Sequence, residues 1–317
     1  MVKIVILDGH TANPGDLSWE EFESLGDFRV YDRTEPEQIV ERIGDAQIVL
    51  VNKVPLTAAT FDACPSIRMA GVLATGYNVI DLNAARRHGV VVCNVPDYST
   101  HAVAQMTVAL LLEICQRVGE HAEAVREGQW CECRDFCFWN HSLTELSGKT
   151  LGIIGYGAIG RAVGRIAQAL DMKLLVTARH EKPVPEGARF VSMEELLAQS
   201  DVVSLHCPQT AENLHFINDA TLAKMKHGAI LINTARGGLV DEQAVAAALR
   251  SGKLRGYGAD VAGCEPMLAD NPLRSAPNCF ITPHIAWAPE ETRRRLLRIL
   301  AQNVRAFLNG TPQNVVS

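Results

Sequence analysis

The sequence predicts an α/β protein of two domains, each a doubly wound parallel sheet covered by helices, with a cleft between the two. Three observations carry that expectation. Short β-branched runs alternate with helical stretches along the chain, the pattern of parallel strands joined by helical crossovers. Ten such runs are too many for one small sheet, and 317 residues is about twice the usual domain length, with 47% hydrophobic residues to fill two cores. The glycine-rich turn from Gly155 to Gly160 lies mid-chain, so a separate domain is expected before it.

Taken in order, strands are expected at Lys3–Leu7, Gln47–Val51, Met69–Leu73, Val90–Val92, Thr150–Ile154, Lys173–Val176, Asp201–Leu205, Ala229–Ile232, Gly256–Asp260 and Cys279–Thr282. Ser18 with Glu21, and Ser192 with Glu195, have the spacing of capping boxes and mark helix starts. A long helix is expected from Thr100, with Val108, Leu111, Leu112 and Cys115 at the spacing of one face, and its low charge points to burial on more than one side. A last amphipathic helix, Glu290 to Phe307, follows Pro289 and could cross back to the first domain. The domains expected are therefore 1–99 with 289–317, for substrate, and 100–288, for a dinucleotide.

Charge and cysteine content narrow the function classes. A net charge of −6, from 30 basic and 36 acidic residues spread along the chain, offers no basic face for nucleic acid or anionic lipid. The start, Met1-Val-Lys-Ile-Val-Ile-Leu-Asp8, enters a strand at once and has no signal-peptide pattern. The apolar stretch around Val108 to Leu112 is too short for a bilayer. Nine cysteines without that pattern point to reduced thiols and a cytoplasmic protein. Cys131, Cys133 and Cys137 lack a usual zinc or iron-sulfur spacing, so no metal is expected.

The apolar strand Thr150–Ile154 runs into Gly155-Tyr156-Gly157-Ala158-Ile159-Gly160 and then a helix. Glycines at these positions serve a tight turn, close approach of backbone to a pyrophosphate, and close helix-to-strand packing, while the helix start offers N–H groups and a positive dipole end. This is a Rossmann-like dinucleotide cradle. The next strand, Lys173–Val176, usually ends near an acid that takes the ribose hydroxyls of NAD. Here Thr177-Ala178-Arg179 stands instead, leaving room and charge for the 2′-phosphate of NADP, so both cofactors stay open.

Beyond the cofactor, reducing a keto acid requires a cation for the carboxylate and a proton donor for the carbonyl oxygen. Arg236, after the apolar strand Ala229–Ile232, suits the first because its fork binds a carboxylate in two places. Two histidines, His206 and His284, follow strands in the same way, and spacing leaves both open as the donor. Glu265, in a Gly-Cys-Glu-Pro turn, is the candidate carboxylate for the histidine.

At these residues the chain resembles the D-isomer-specific 2-hydroxyacid dehydrogenase family. The resemblance runs over nearly the whole chain, through the glycine loop, Asn233-Thr-Ala-Arg236-Gly-Gly, Gly258-Ala-Asp260-Val with Glu265-Pro266, and Thr282-Pro-His284-Ile-Ala. It implies Arg236 as substrate binder, His284 as acid/base and Glu265 as its partner. Thr234, Ala235, Arg236 and Asp260 would lie on the nicotinamide side, with Pro208 and His284 among the cofactor contacts.

The segment Ala74-Thr75-Gly76 resembles the family loop whose N–H groups hold the substrate carboxylate. The Asp135-Phe-Cys-Phe-Trp139 and His284-Ile-Ala-Trp287-Ala segments look most like glycerate dehydrogenases, which are also hydroxypyruvate or glyoxylate reductases. Trp287, three residues past His284, is then expected to shape the substrate pocket. The resemblance also implies a homodimer through the cofactor domain, with the helix from Thr100 at the contact. The same fold and triad serve dinucleotide-sensing corepressors that bind protein motifs, and formate and phosphoglycerate dehydrogenases are built alike. Those are the alternative readings.

Overall fold

A computed structural model describes residues 1–317. The chain forms two compact units, Met1–Ser99 with Trp287–Ser317, and Thr100–Ala286. Each is a parallel sheet with helices on both faces, the Rossmann-like α/β architecture.

The first unit contains β1 (Lys3–Ile6), α1 (Glu20–Glu23), β2 (Asp27–Val30), α2 (Ile39–Ile43), β3 (Ile48–Val51), α3 (Ala58–Ala63), β4 (Met69–Val72), α4 (Leu82–Arg87) and β5 (Val91–Cys93). The second contains α5 (Thr100–Gln116), α6 (Val118–Arg126), β6 (Thr150–Ile154), α7 (Ala158–Ala169), β7 (Lys173–Thr177), β8 (Ala188–Phe190), α8 (Met193–Gln199), β9 (Val202–Leu205), α9 (Asp219–Lys224), β10 (Ala229–Asn233), α10 (Glu242–Arg250), β11 (Leu254–Ala259) and β12 (Cys279–Ile281). The final helix, α11 (Glu290–Leu308), returns to the first unit.

The sheets are ordered β2-β1-β3-β4-β5 and β12-β11-β10-β9-β6-β7-β8. Each order reverses direction once, between β1 and β3 and between β6 and β9. Doubly wound sheets take ligands at the carboxyl ends of strands flanking such a switch. Because both faces are covered, strands read as continuous apolar runs whose alternate residues feed opposite cores. In β3, Ile48 and Leu50 pack with Phe22 and Leu300, whereas Val49 and Val51 pack with Phe61 and Ala84.

All ten expected strands form, and two short ones join them. Both β2 and β8 are edge strands with half-exposed, charge-bearing sequences, Asp27-Phe-Arg-Val30 and Ala188-Arg-Phe190, so neither has the apolar run that marks the interior strands. The expected box at Ser18 does not form: α1 starts one residue later, after Trp19, and the Ser18 hydroxyl accepts the Glu20 N–H instead. Ser192 does cap α8, accepting the Glu195 N–H at 3.1 Å, while the Glu195 carboxylate turns to Arg189 and Gln199. The buried face of α5 is also rotated from the expected one. Val103, Ala104, Thr107, Leu110, Leu111, Ile114 and Cys115 are buried, and Leu112 is 37% exposed.

Polar contacts tie α11 into the first unit. The buried Arg293 guanidinium grips Asp16 with two bonds, at 2.7 and 2.6 Å, and holds that carboxyl below its usual range. Asn303, with no exposed surface, donates to Asn94 O at 2.9 Å and accepts from Asn314 Nδ2 at 2.8 Å. The tail beyond α11 then pairs antiparallel with β5 through Cys93 and Val315. No single helix is long and apolar enough to cross a membrane.

Asn303→Ala would leave a buried carbonyl and a partly buried amide without partners, a loss of about 1–3 kcal/mol. The urea midpoint of the first unit's unfolding, followed by tryptophan fluorescence, is expected to fall accordingly. An unchanged midpoint would show that water replaces both bonds.

Candidate active site

The cradle for a phosphate sits at the β6/β9 switch point, and its three glycines answer to three different neighbours. Gly155 has φ +96°, and a Cβ there would lie 2.5 Å from Cys207 N, so the end of β9 leaves room only for hydrogen. A Cβ on Gly160 would lie 2.4 Å from Gly155 O, which keeps α7 hard against the turn. Gly157, which caps α7, would meet nothing within 4 Å. Its bareness opens space in front of the helix N-terminus, beside Ala158 and Ile159, which fits a pyrophosphate approaching the backbone.

At the end of β7, Thr177 is buried, Ala178 half-buried and Arg179 exposed. No carboxylate stands at Ala178. The Arg179 guanidinium lies 3.6 Å from Glu212 in a solvent-exposed pair of the kind that contributes little, so it remains available to an incoming anion. Pro208 is exposed on the loop leaving β9.

Glu265 and His284 pair directly, and the corner that carries Arg236 packs through its backbone against the turn that carries Glu265. The buried Asn233 side chain shapes the end of β10, accepting from Ala235 N at 3.0 Å and donating to Arg236 O at 2.9 Å. Arg236 is thereby held exposed at the corner. The next residue, Gly237, is buried, and a Cβ on it would fall 1.9 Å from Ala262 O. The turn carrying Glu265 is thus packed directly against the arginine corner.

His284 has φ +56°, an uncommon conformation for a residue with a side chain. It persists because Asp260, 1% exposed at the end of β11, braces the loop. One Asp260 oxygen accepts from Thr282 Oγ1 at 2.5 Å and Ile285 N at 2.9 Å, the other from Ala286 N at 2.7 Å. Asp260, expected on the nicotinamide side, is therefore first a support for the histidine loop. Glu265 Oε2 lies 2.7 Å from His284 Nδ1, and Glu265 Oε1 accepts from Ala262 N at 3.1 Å. A carboxylate accepts only, so Nδ1 carries a hydrogen and Nε2 is left as the nitrogen that can exchange a proton with a ligand.

The other strand-end histidine is placed differently. His206 bonds Ser204 Oγ at 2.8 Å, and burial pushes its imidazole down to about 4. Burial thus disfavours the charged form that a general acid needs, a distinction that spacing could not supply.

Thr234 and Ala235 line the same corner. The buried Thr234 hydroxyl lies 2.8 Å from that of Thr107 on α5, and Thr107 Oγ1 also reaches Val103 O at 2.8 Å. Every hydrogen finds an acceptor if Thr234 donates to Thr107 and Thr107 to Val103. Sequence reasoning passed over Thr107, although a lone hydroxyl on an otherwise apolar buried face is the signal that marks it.

In the first unit, Ala74-Thr75-Gly76 leaves β4 with its carbonyls turned toward the exit of β5. Val95 N donates to Ala74 O at 3.0 Å, Asn94 Nδ2 to Thr75 O at 2.7 Å, and the Thr75 hydroxyl to Val95 O at 2.9 Å. None of these bonds uses the Thr75 and Gly76 N–H groups. Trp287 is half-buried against the first unit's core, in the cluster with Phe22 and Leu296. No group of His, Cys, Asp and Glu side chains is arranged to hold a metal, and Cys133 directs its thiol at Cys137 O.

Residues 108–286 match the profile of the D-isomer specific 2-hydroxyacid dehydrogenase, NAD binding domain. The chain belongs to the D-isomer-specific 2-hydroxyacid dehydrogenase family. A hydroxypyruvate reductase of Blautia hydrogenotrophica is 51% identical over the full length of both chains. A glycerate dehydrogenase of Methylorubrum extorquens is 40% identical over 99% of this chain and 98% of its own. Among solved structures, an acyclic imino acid reductase in complex with NADPH and D-Arg superposes with a TM-score of 0.88 at 31% identity, each chain fully covered. This dehydrogenase is thus an oxidoreductase that uses a nicotinamide dinucleotide.

For the dehydrogenase, His284→Ala is expected to lower keto acid reduction by roughly 10²–10⁴ with dinucleotide affinity kept within a few-fold. His206→Ala should cost far less in kcat. Steady-state kinetics of the two variants decide it, and a larger kcat loss at His206 would reverse the assignment.

Proposed function

We propose that this dehydrogenase reduces a small polar 2-keto acid, hydroxypyruvate or glyoxylate, to D-glycerate or glycolate, and accepts NADPH as well as NADH. The chemistry rests on the 2.7 Å pairing of His284 with Glu265, on a turn packed against the Arg236 corner. The names of the 51% and 40% identical relatives support the substrate size.

Arg236 takes the substrate carboxylate with its guanidinium fork, and the Ala74–Gly76 loop offers its N–H groups to the same kind of anion. A dinucleotide held at the Gly155–Gly160 turn would supply the hydride for C2. As the carbonyl oxygen gains charge, protonated His284 gives it the Nε2 proton, while Glu265 keeps the ring oriented and balances its positive charge. In the reverse direction the neutral ring takes the hydroxyl proton. Gly155, Gly157, Ala158, Ile159, Gly160, Pro208, Thr234, Ala235 and Asp260 contact the dinucleotide or shape the surface that does.

We further infer a cytoplasmic homodimer formed through the second unit. The contact we favour is the stretch from α6 to Leu143, where Val118, Trp130, Phe136 and Trp139 are 63, 52, 88 and 65% exposed, rather than α5, whose apolar face is used within the unit.

Kinetics with glyoxylate, hydroxypyruvate, pyruvate and phenylpyruvate, each with NADH and NADPH, test the reading; a preference for phenylpyruvate would sink it. Arg179→Ala should raise KM for NADPH more than for NADH, and equal effects would remove Arg179 from cofactor choice.

Trp287→Ala probes pocket size through the ratio of kcat/KM for phenylpyruvate over hydroxypyruvate. That ratio is expected to rise as volume is vacated. If it holds constant while both activities fall together, Trp287 only packs the first unit.

A further inference from the structure

Behind the His284–Glu265 pair lies a second carboxylate, Glu242, the first residue of α10. Its Oε1 accepts the Gly263 N–H at 2.8 Å, and its Oε2 accepts from Asn271 Nδ2 at 2.8 Å. Gly263 stands two residues before Glu265, in the turn whose Ala262 N–H donates to Glu265 Oε1. On the opposite side the turn rests on Gly237, where a Cβ would sit 1.9 Å from Ala262 O and 2.5 Å from Gly263 N. The Ala262–Gly263 peptide is therefore held between a steric stop at Gly237 and a polar clamp at Glu242.

We propose that Glu242 is a positioning residue for proton transfer, fixing the Ala262–Glu265 turn so that Glu265 Oε2 stays on His284 Nδ1. Both partners of Glu242 are donors, so an acceptor-only carboxylate satisfies them and an amide does not. Asn271 cannot flip to accommodate an amide, because it is buried and its Oδ1 accepts the Leu273 N–H at 3.0 Å. The turn itself is exposed from Gly263 to Pro266, and so has little packing of its own to hold it.

The ionisable groups around the clamp do not replace it. Tyr257 and Cys279 are kept protonated, chiefly by burial and further by the Glu242 charge, with Cys279 pushed up to about 12. His215 and Asp241 line, together with Glu242, a recess of about 220 Å³, and Asp241 caps α10 through Gln243 N and Ala244 N. On the catalytic side, Glu265 faces the His284 ring, Asp260 holds the loop that carries it, and Arg236 stands at the neighbouring corner.

This proposal rests on His284 and Glu265 being the donor pair, so the test carries Glu265→Gln as a separate arm. The variants are Glu242→Gln, Asn271→Asp and the double exchange of both. In the double exchange the amide placed on α10 can accept from Gly263 N through its oxygen and donate through its nitrogen to the new carboxylate. The second oxygen of that carboxylate still accepts from Leu273 N. The readouts are the pH profile of hydroxypyruvate reduction and the NMR signal of the His284 Nδ1–H in protein free of dinucleotide.

Glu265→Gln should move the upper pH limb down, the direction expected when a neighbouring negative charge is lost. Glu242→Gln should move it the same way by less and broaden the Nδ1–H signal, and the double exchange should restore both. If Glu242→Gln is too unstable to assay, Asn271→Asp, which repels the Glu242 carboxylate from Gly263, should reproduce its effects. Activity lost evenly at all pH values with an unaltered signal, or no recovery in the double exchange, would overturn the clamp. If Glu265→Gln leaves the pH limb in place, the donor pair is what fails, and the Nδ1–H signal alone then judges Glu242.

Discussion

A carboxylate with 1% exposure is costly to bury unless donors surround it, and Asp260 finds three, from Thr282, Ile285 and Ala286. That set of bonds joins the end of β11 to the loop after β12, and it holds His284 in a backbone conformation a lone histidine would seldom adopt. His284 thus inherits its position from the sheet rather than from the loop. Each hydrogen bond to a charged group contributes about 1.5–3 kcal/mol, so three together exceed the cost of one left-handed residue.

A similar economy of contact governs the rest of the site. Gly155 presses on the end of β9, Gly160 on Gly155, and Gly237 on the Ala262 carbonyl, so the strand ends stand closer than any side chain would allow. The Thr107–Thr234 bond adds α5 to the assembly from behind. Preorganisation of this kind keeps charged and donor groups in place before a ligand arrives, which is where most of the rate advantage of such sites arises.

The fold was readable because parallel strands covered on both faces must be apolar throughout, and β3 and β10 are buried along their whole length. The half-exposed edges β2 and β8 lack that mark and escaped. Strand-end placement singled out Arg236 and His284, and the structure sets Glu265 against His284. Spacing could not separate His284 from His206, because the difference lies in burial and in partners far away in sequence. Glu242 was invisible for the same reason: its partners are 21 and 29 residues away, and a Glu opening a helix has an ordinary local explanation. The buried face of α5 was misjudged because the helix is apolar nearly all round.

The tail after α11 has a bearing on association as well as on stability. An open sheet edge is a template for any other extended chain, and proteins either cover such edges or make them unattractive. In the first unit the Cys93–Val315 pairing, with Val316 N donating to Val92 O at 2.8 Å, covers the β5 edge. The opposite edge, β2, is only four residues long and turns Asp27 and Arg29 outward. One edge is covered and the other is short and charged, so the sheet presents little to a strand from another molecule.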